Sequence, residues 1–334
     1  MESRAPLVLA VVIVNYRTPS LVVDCLESLV PQLPSRAGVV VVDNASGDHS
    51  IETLQAWIDG TDAATAGKVH LLASPTNGGF SAGNNLGIKC LHAEFYLLLN
   101  SDTIVRPDAI SLLLDRIQRD AQIAAVGPRL EYLDGTPQVS RFRRRGVTSE
   151  FIRGAQIQGI SRILRRKNTP IELDEPEQKI DWVSFACVLL RAEVIKKIGL
   201  MDEQFFMYFE DIEYCLRIQR AGYTIEQALE ARVVHLRGGT SSVKKNSDKK
   251  KRIPAYFYQS RTRYFTLLGG KTRLISANIA WYLGRAIRLL KLLRGKTAGS
   301  RIPGEWRDIW KDFLIAQPPR FTSTDEISRR MADL

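Results

Sequence analysis

Two carboxylate-bearing segments have the residue types and surroundings that chemistry needs. Asn100-Ser101-Asp102 follows the apolar run Tyr96-Leu97-Leu98-Leu99. A carboxylate at a strand end can hold a divalent ion that bridges two phosphates, as a leaving nucleoside diphosphate requires. The plainer alternative is that Asp102 caps the turn after the strand. The second segment is Phe205-Phe206-Met207-Tyr208-Phe209-Glu210-Asp211. Aromatic bulk before paired carboxylates favours a partly desolvated acid site, and desolvation moves a carboxylate towards the pKa of a useful base. Taken alone, these residues fit an ordinary helix start slightly better, with Glu210 and Asp211 offsetting the helix dipole.

The elements that must position these groups alternate in the first 130 residues. Short apolar or β-branched runs at 7–14, 39–43, 68–73, 95–99 and 124–126 predict strands, and helical patterns at 21–30, 51–57, 82–91 and 109–119 lie between them. Pro107 suits the first turn of the last helix. Alternation of this kind predicts an α/β, doubly wound, mostly parallel sheet flanked by helices. Ligands of such sheets bind beyond the carboxyl ends of the strands. The residues there are Asn15-Tyr16, Asp43-Asn44, the loop 77–85 and Asn100-Ser101-Asp102. One Asn or Asp would pass as a turn former, but four polar sets converging on one edge point to a ligand site.

The pattern weakens between 129 and 179, where an excursion or flexible segment is expected. A strand over 182–190 and helices over 192–198 and 211–221 follow, with Gly222 as a C-cap. The run 244–252 holds six basic residues and one Asp and reads as an exposed mobile loop.

Val11-Val12-Ile13-Val14-Asn15-Tyr16, Val42-Asp43-Asn44-Ala45-Ser46, Asn77-Gly78-Gly79-Phe80-Ser81-Ala82-Gly83-Asn84-Asn85 and Leu99-Asn100-Ser101-Asp102 resemble the successive motifs of family 2 glycosyltransferases. The resemblance runs from about Val11 to Ser241 and is strongest to bacterial rhamnosyltransferases and related galactofuranosyl- and cell-wall glycosyltransferases. It implies the GT-A fold, a nucleotide-sugar donor, Mn²⁺ or Mg²⁺, and inversion at the anomeric carbon. It places Asn15, Asp43 and Asn44 near the nucleotide, with Asp43 reading the base. Asn77, Gly78, Gly79, Phe80, Gly83 and Asn84 would lie near the nucleotide and donor sugar; the glycines fit, since they let backbone approach a ligand closely. Many relatives carry Asp-x-Asp where this chain has Asn100-Ser101-Asp102. Ligation is therefore assigned to Asp102, and Asn100 is left for the ribose.

The resemblance also makes Asp211 the base that deprotonates the acceptor hydroxyl, with Glu210 binding or orienting the acceptor. Trp182-Val183-Ser184-Phe185-Ala186 resembles the acceptor-side strand. Trp182 can stack on a sugar or be a core aromatic, and Phe185 can shape the acceptor pocket or fill the core. His235 ends the run Arg232-Val233-Val234, and Gly238-Gly239-Thr240-Ser241 after it resembles the segment that follows a metal-completing histidine. Imidazole suits Mn²⁺ as a ligand.

The resulting division is a GT-A catalytic domain over 1–253 and a helical, basic region over 254–334. Within the first, the nucleotide-sugar half spans about 1–130 and the acceptor half about 180–243. The implied reaction carries a sugar to a hydroxyl of a glycan or lipid-linked saccharide, in polysaccharide or cell-envelope synthesis. Rhamnose from a dTDP donor comes first, then a UDP-hexose or galactofuranose, or a non-catalytic binding relative. A nicotinamide oxidoreductase or a nucleotidyltransferase would need an early glycine-rich turn, which Asn15-Tyr16-Arg17-Thr18-Pro19 is not.

The net charge of +11 favours anionic partners. Nucleic acid is disfavoured, because no zinc-finger spacing, homeodomain-like helix or aromatic RNA-binding signature accompanies the basic runs. Cys25, Cys90, Cys187 and Cys215 lie far apart, which argues against a zinc site and for a reducing, cytoplasmic compartment. In the tail, Ile275, Ile279, Tyr282, Ala286, Leu289, Leu290 and Leu293 share a helical face, with Arg285, Arg288, Lys291 and Arg294 opposite. Such a helix over 274–294 suits peripheral contact with an anionic membrane at the inner face, or packing on the domain with its basic face in solvent.

Overall fold

The computed structural model describes residues 6–175, 179–237, 243, 246–247, 249–293 and 302–315. Strand β1 (Leu7–Asn15) is followed by α1 (Pro19–Leu29), β2 (Ala37–Asp43), α2 (Ser50–Asp59), α3 (Ala63–Ala66), β3 (Val69–Ala73), α4 (Gly79–Cys90), β4 (Ala93–Asn100), β5 (Thr103–Val105), α5 (Ala109–Gln118) and β6 (Ile123–Glu131). Then come β7 (Arg141–Phe142), α6 (Val147–Ala155), α7 (Gln158–Ile163), β8 (Trp182–Val183), β9 (Cys187–Arg191), α8 (Ala192–Ile198), α9 (Glu210–Arg220) and β10 (Thr224–His235). The described part ends with α10 (Ala255–Leu293) and α11 (Glu305–Asp308).

Eight strands form one sheet in the order β3-β2-β1-β4-β9-β6-β10-β5. β1 pairs in parallel with β2 and β4, β2 with β3, and β6 with β10. β9 runs antiparallel between β4 and β6, and β5 antiparallel to β10. The sheet is therefore mixed: its first four strands, β3-β2-β1-β4, are all parallel, as the alternation predicted, and the antiparallel pairings lie beyond them. Alternate side chains serve opposite layers. Leu9, Val11 and Ile13 join the core under α1 and α5, whereas Ala10 and Val12 join the core under α4, α8 and α9. Helix α4 sits close to β1 because Gly83 and Gly87 face Val14 and Val12; a Cβ on Gly83 would stand 2.8 Å from Val14 Cγ1.

The expected strand over 182–190 is broken. β8 leaves the main sheet to pair with β7, with Arg141 opposite Val183 and Phe142 opposite Trp182. The stretch 129–179 is likewise no mere excursion: in its described residues β6 ends, and β7, α6 and α7 fold. Its arginines obscured this in the sequence, because several are buried against acids. Glu150 is fully buried and accepts from Arg261 (2.9 Å) and Arg153 (2.8 Å).

Helix α10 is a helical hairpin. Gly270 has a φ of 69°, and Arg261 donates to Asn278 Oδ1 at 2.7 Å. A straight helix would separate those residues by about 25 Å. The second arm crosses α6 where Gly154 meets Trp281 and Gly284 meets Phe151; a side chain at either glycine would overlap opposing backbone. The face turned inward carries Trp281, Arg285 and Arg288. Arg288 is 5% exposed, and Arg285 lies 3.8 Å from Glu305. The basic face expected to meet lipid or solvent is thus partly consumed in packing. Ile279, Leu283, Ile287, Leu289 and Leu290 point outward instead. Arg294, the segment 238–241 and Lys244, Lys245 and Asp248 of the run 244–252 lie outside the described residues.

Candidate active site

The ends of β1 and β2 are in register, with Asn15 opposite Asp43. Asn15 is fully buried and both ends of its side-chain amide are engaged. Its Nδ2 donates to Asp43 Oδ1 (2.7 Å) and Ser46 Oγ (3.2 Å), and its Oδ1 accepts from the Thr18 N–H and hydroxyl at 3.2 Å each. Asp43 also accepts from the Ser46 hydroxyl and N–H. Arg17 and Ala45 beside them have φ of 59° and 56°, a conformation that costs non-glycine residues energy. The network holds two strained turns in place at the strand ends.

Asn44 joins this edge to the loop before α4. Its Nδ2 donates to Asn77 Oδ1 and the Gly79 carbonyl, both at 3.0 Å, while its buried Oδ1 has no partner among the described residues. Asn77 Oδ1 also accepts from the Gly79 N–H at 3.0 Å. Gly79 has φ 84°, and a Cβ there would overlap the Phe206 carbonyl. Phe80 donates its N–H to that carbonyl at 2.7 Å. Gly78 precedes this contact as the N-cap of α4, Asn84 donates back to the Phe80 carbonyl, and Gly83 serves packing on Val14.

Asp102 lies just past β4, and its carbonyl accepts from the Leu236 N–H at 2.9 Å. β5 pairs with β10 so that Thr103 stands opposite His235. That register sets His235 Nε2 3.4 Å from Asp102 Oδ1. His235 Nδ1 is buried and has no hydrogen-bond partner among the described residues. The Asn100 side chain is half-buried at the end of β4, opposite Val14.

Glu210 and Asp211 open α9, behind two residues in the left-handed region, Tyr208 (φ 70°) and Phe209 (φ 71°). Aromatic residues seldom adopt that conformation, and strain of this kind concentrates at functional sites. Glu210 is buried and its Oε2 has no partner among the described residues. Burial pushes the Asp211 carboxyl up to about 7, against the opposing pull of the Ile212 N–H and of Arg145. Burial and the neighbouring Asp211 hold Glu210 well above the usual carboxylate range.

Phe185 is 2% exposed and edge-on to Tyr214, so it fills the core rather than a pocket. Trp182 stacks on Phe142 with centroids 3.9 Å apart and donates to the Arg143 carbonyl at 3.0 Å. One indole face is therefore already covered. Asn85, expected only as part of the loop 77–85, and Arg145, which had no assignment from the sequence, also take part. Asn85 clamps α4 to the segment leading to Glu210 and Asp211, donating to the Met201 carbonyl and accepting from its N–H. Arg145 lies over the Phe209 ring at 5.1 Å. In the sequence it is one of four arginines between 141 and 145, and charge alone does not say what a residue faces.

Residues 10–199 match the family described as glycosyl transferase family 2. A hexosyltransferase of low-salt glycan biosynthesis from Haloferax volcanii is 27% identical over 231 residues, covering 68% of this chain and 66% of the relative. This chain thus spans just under two thirds of that relative's length. An N-acetylglucosaminyl-diphospho-decaprenol L-rhamnosyltransferase from Mycobacterium tuberculosis is 26% identical, covering 68% of this chain and 76% of the relative. The solved structure of a Pyrobaculum calidifontis mannosyltransferase in complex with GDP-Man and Mn²⁺ superposes with a TM-score of 0.52 at 14% identity, over 94% of this chain and 88% of that one. With the mixed sheet and its strand-end site, these matches establish that the chain belongs to glycosyl transferase family 2 and has the GT-A fold.

Proposed function

We propose that this protein transfers a sugar, with inversion, from a nucleoside-diphosphate donor to a hydroxyl of a glycan or lipid-linked saccharide, with Asp211 as the base. The observation that carries the reading is the bond from Phe80 N–H to the Phe206 carbonyl. It joins the glycine loop on the donor side to the segment that presents Glu210 and Asp211. A base near neutrality can accept the hydroxyl proton as the oxygen attacks the anomeric carbon. Attack from the side opposite the leaving diphosphate inverts that carbon.

Asp102 and His235 fit a divalent cation, Mn²⁺ or Mg²⁺. They offer one carboxylate and one imidazole 3.4 Å apart, with a ring nitrogen not otherwise bonded among the described residues. No third His, Cys, Asp or Glu joins them among the described residues, so phosphate oxygens and water would complete the shell. When bound, the metal supplies positive charge against the departing diphosphate. Asn15 and Asp43 hold the turns that receive the nucleotide, and Asn44, with its unused Oδ1, faces the glycine loop.

For the sugar, the mycobacterial relative's name favours rhamnose, with a dTDP donor the first to test and UDP-linked hexoses or galactofuranose next. A panel of nucleotide-sugars with Mn²⁺ in a thermal-shift assay tests this, because a ligand that binds only the folded state raises apparent stability. dTDP-rhamnose is expected to give the largest metal-dependent shift. A panel in which no nucleotide-sugar shifts the melting temperature would sink the donor assignment.

We further propose peripheral contact with a membrane through the outward row Ile279, Leu283, Ile287 and Leu290 of α10. Exposed Trp306 lies near this helix, where Tyr282 donates to its carbonyl, and exposed Lys271 and Arg307 supply charge. Apolar residues with an aromatic and cations alongside match an interfacial helix. Among the described residues, no helix is long and apolar enough to cross a membrane.

A further inference from the structure

A cleft of about 380 Å³ opens between the paired strands β7 and β8, the start of α6 and the turn of α10. Six cations line it: Arg143, Arg144, Arg145, Arg166, Lys167 and Arg273. Against them the lining holds one acid, Asp181, which lies 4.0 Å from Arg144 and accepts its N–H at 2.8 Å. Arg143 is paired with Glu175, and Arg145 lies 3.6 Å from Glu150. Arg166, Lys167 and Arg273 form no ion pair among the described residues. Arg273 reaches the start of α6, its Nη2 3.7 Å from where a Cβ on Gly146 would sit. Val147 and Thr148 in the same wall begin a nine-residue helix, whose first N–H groups have no partner within the helix. Arg166, Lys167 and Arg273 are exposed and free to turn to an anion, and guanidinium forks with backbone N–H donors match phosphate oxygens.

The cleft also adjoins the base. Arg145 lines it while lying over Phe209, two residues before Asp211. Trp182 pins the Arg143 carbonyl from the acceptor-side strand. The donor diphosphate has its own place at the strand ends, with Asp102 and His235. We infer that this cleft is a phosphoryl subsite, and that the acceptor carries a phosphate or diphosphate ester which the arginines seat beside Asp211. The inference rests on the assignment of Asp211 to the acceptor side, but its binding test does not depend on sugar transfer.

The test uses the full chain in EDTA, so that no metal supports binding of diphosphate at the donor site. Calorimetry follows inorganic pyrophosphate, and decyl diphosphate competes against it. An Arg166→Gln/Lys167→Gln/Arg273→Gln variant is expected to bind pyrophosphate about tenfold more weakly or worse, since three surface charges are lost. Asp102→Ala is expected to bind as the parent does, and decyl diphosphate to displace pyrophosphate. Equal affinity in the triple variant, or loss of binding in Asp102→Ala, overturns the subsite. Pyrophosphate binding that decyl diphosphate fails to displace means a free anion is the ligand, and overturns the acceptor assignment. A parallel thermal shift with Mn²⁺ and the nucleotide-sugar panel separates the readings: its failure with pyrophosphate binding intact counts against the donor proposal alone.

Discussion

His235 Nε2 stands 3.4 Å from Asp102 Oδ1 because the β5–β10 register places His235 opposite Thr103. If both hold the metal, removing either should weaken nucleoside-diphosphate binding only when metal is present. Asp102→Ala and His235→Ala are each expected to cost at least about tenfold in Mn²⁺ affinity, the loss seen even for supporting groups. Mn²⁺ titration with the nucleoside diphosphate present reads this directly. Wild-type affinity in His235→Ala would leave Asp102 as the sole protein ligand of the pair.

Asp211→Asn should preserve metal-dependent donor binding and lower kcat by about 10²–10⁴-fold. Near-normal turnover in this variant would show that the proton leaves by another route.

The Asp211 carboxyl at about 7 sets two pH dependences. Activity should fall on acidification, with kcat/KM dropping below about pH 7 as the base is protonated. Stability runs the other way. A carboxyl raised above its unfolded value contributes stability that is fully present below about pH 4 and is lost as pH rises through about 7. Melting of the metal-free protein across pH 4–8 should therefore show a declining component that Asp211→Asn removes. Because Glu210 is coupled to it, the observed titration belongs to the pair.

Gly79→Ala is expected to weaken donor binding and turnover together. Its φ of 84° costs an alanine about 1–2 kcal/mol, before the overlap with the Phe206 carbonyl is relieved. Thermal melting and donor titration on one preparation test both. A variant with parental stability and affinity would mean that the loop yields freely and does not tie donor side to base.

A triple change, Leu283→Glu/Ile287→Glu/Leu290→Glu, should abolish flotation with anionic liposomes while leaving the melting temperature nearly unchanged, since all three side chains are exposed. Truncation at the Gly270 turn would be a poor control, because it strips Trp281 from α6. Equal flotation of the triple variant and its parent removes the membrane proposal.

Much of the catalytic half was legible in the residues. The apolar runs and helical spacings located β1, β2, β3, β4 and β6 and helices α1, α2, α4, α5, α8 and α9, because period and turn chemistry are local properties. The strand-end rule then collected Asn15, Asp43, Asn44 and Asp102 on one edge. Local pattern could not separate packing from chemistry at Gly83, which faces Val14, or at Phe185, which is core. It could not reveal that Asn15 spends its amide on Asp43 and Thr18.

What only the tertiary structure decided depends on contacts between residues distant in sequence. The antiparallel β5–β10 register brings His235 to Asp102, and the Phe80–Phe206 bond brings the glycine loop before α4 to the segment that carries Glu210 and Asp211. The inverted face of α10 has the same origin. The amphipathic pattern was real, but Glu150 and Glu305 draw cations inward, and Gly154 and Gly284 let the helices cross with backbone nearly touching. Helical spacing sorts side chains into faces; which face is buried is settled by the partner it meets.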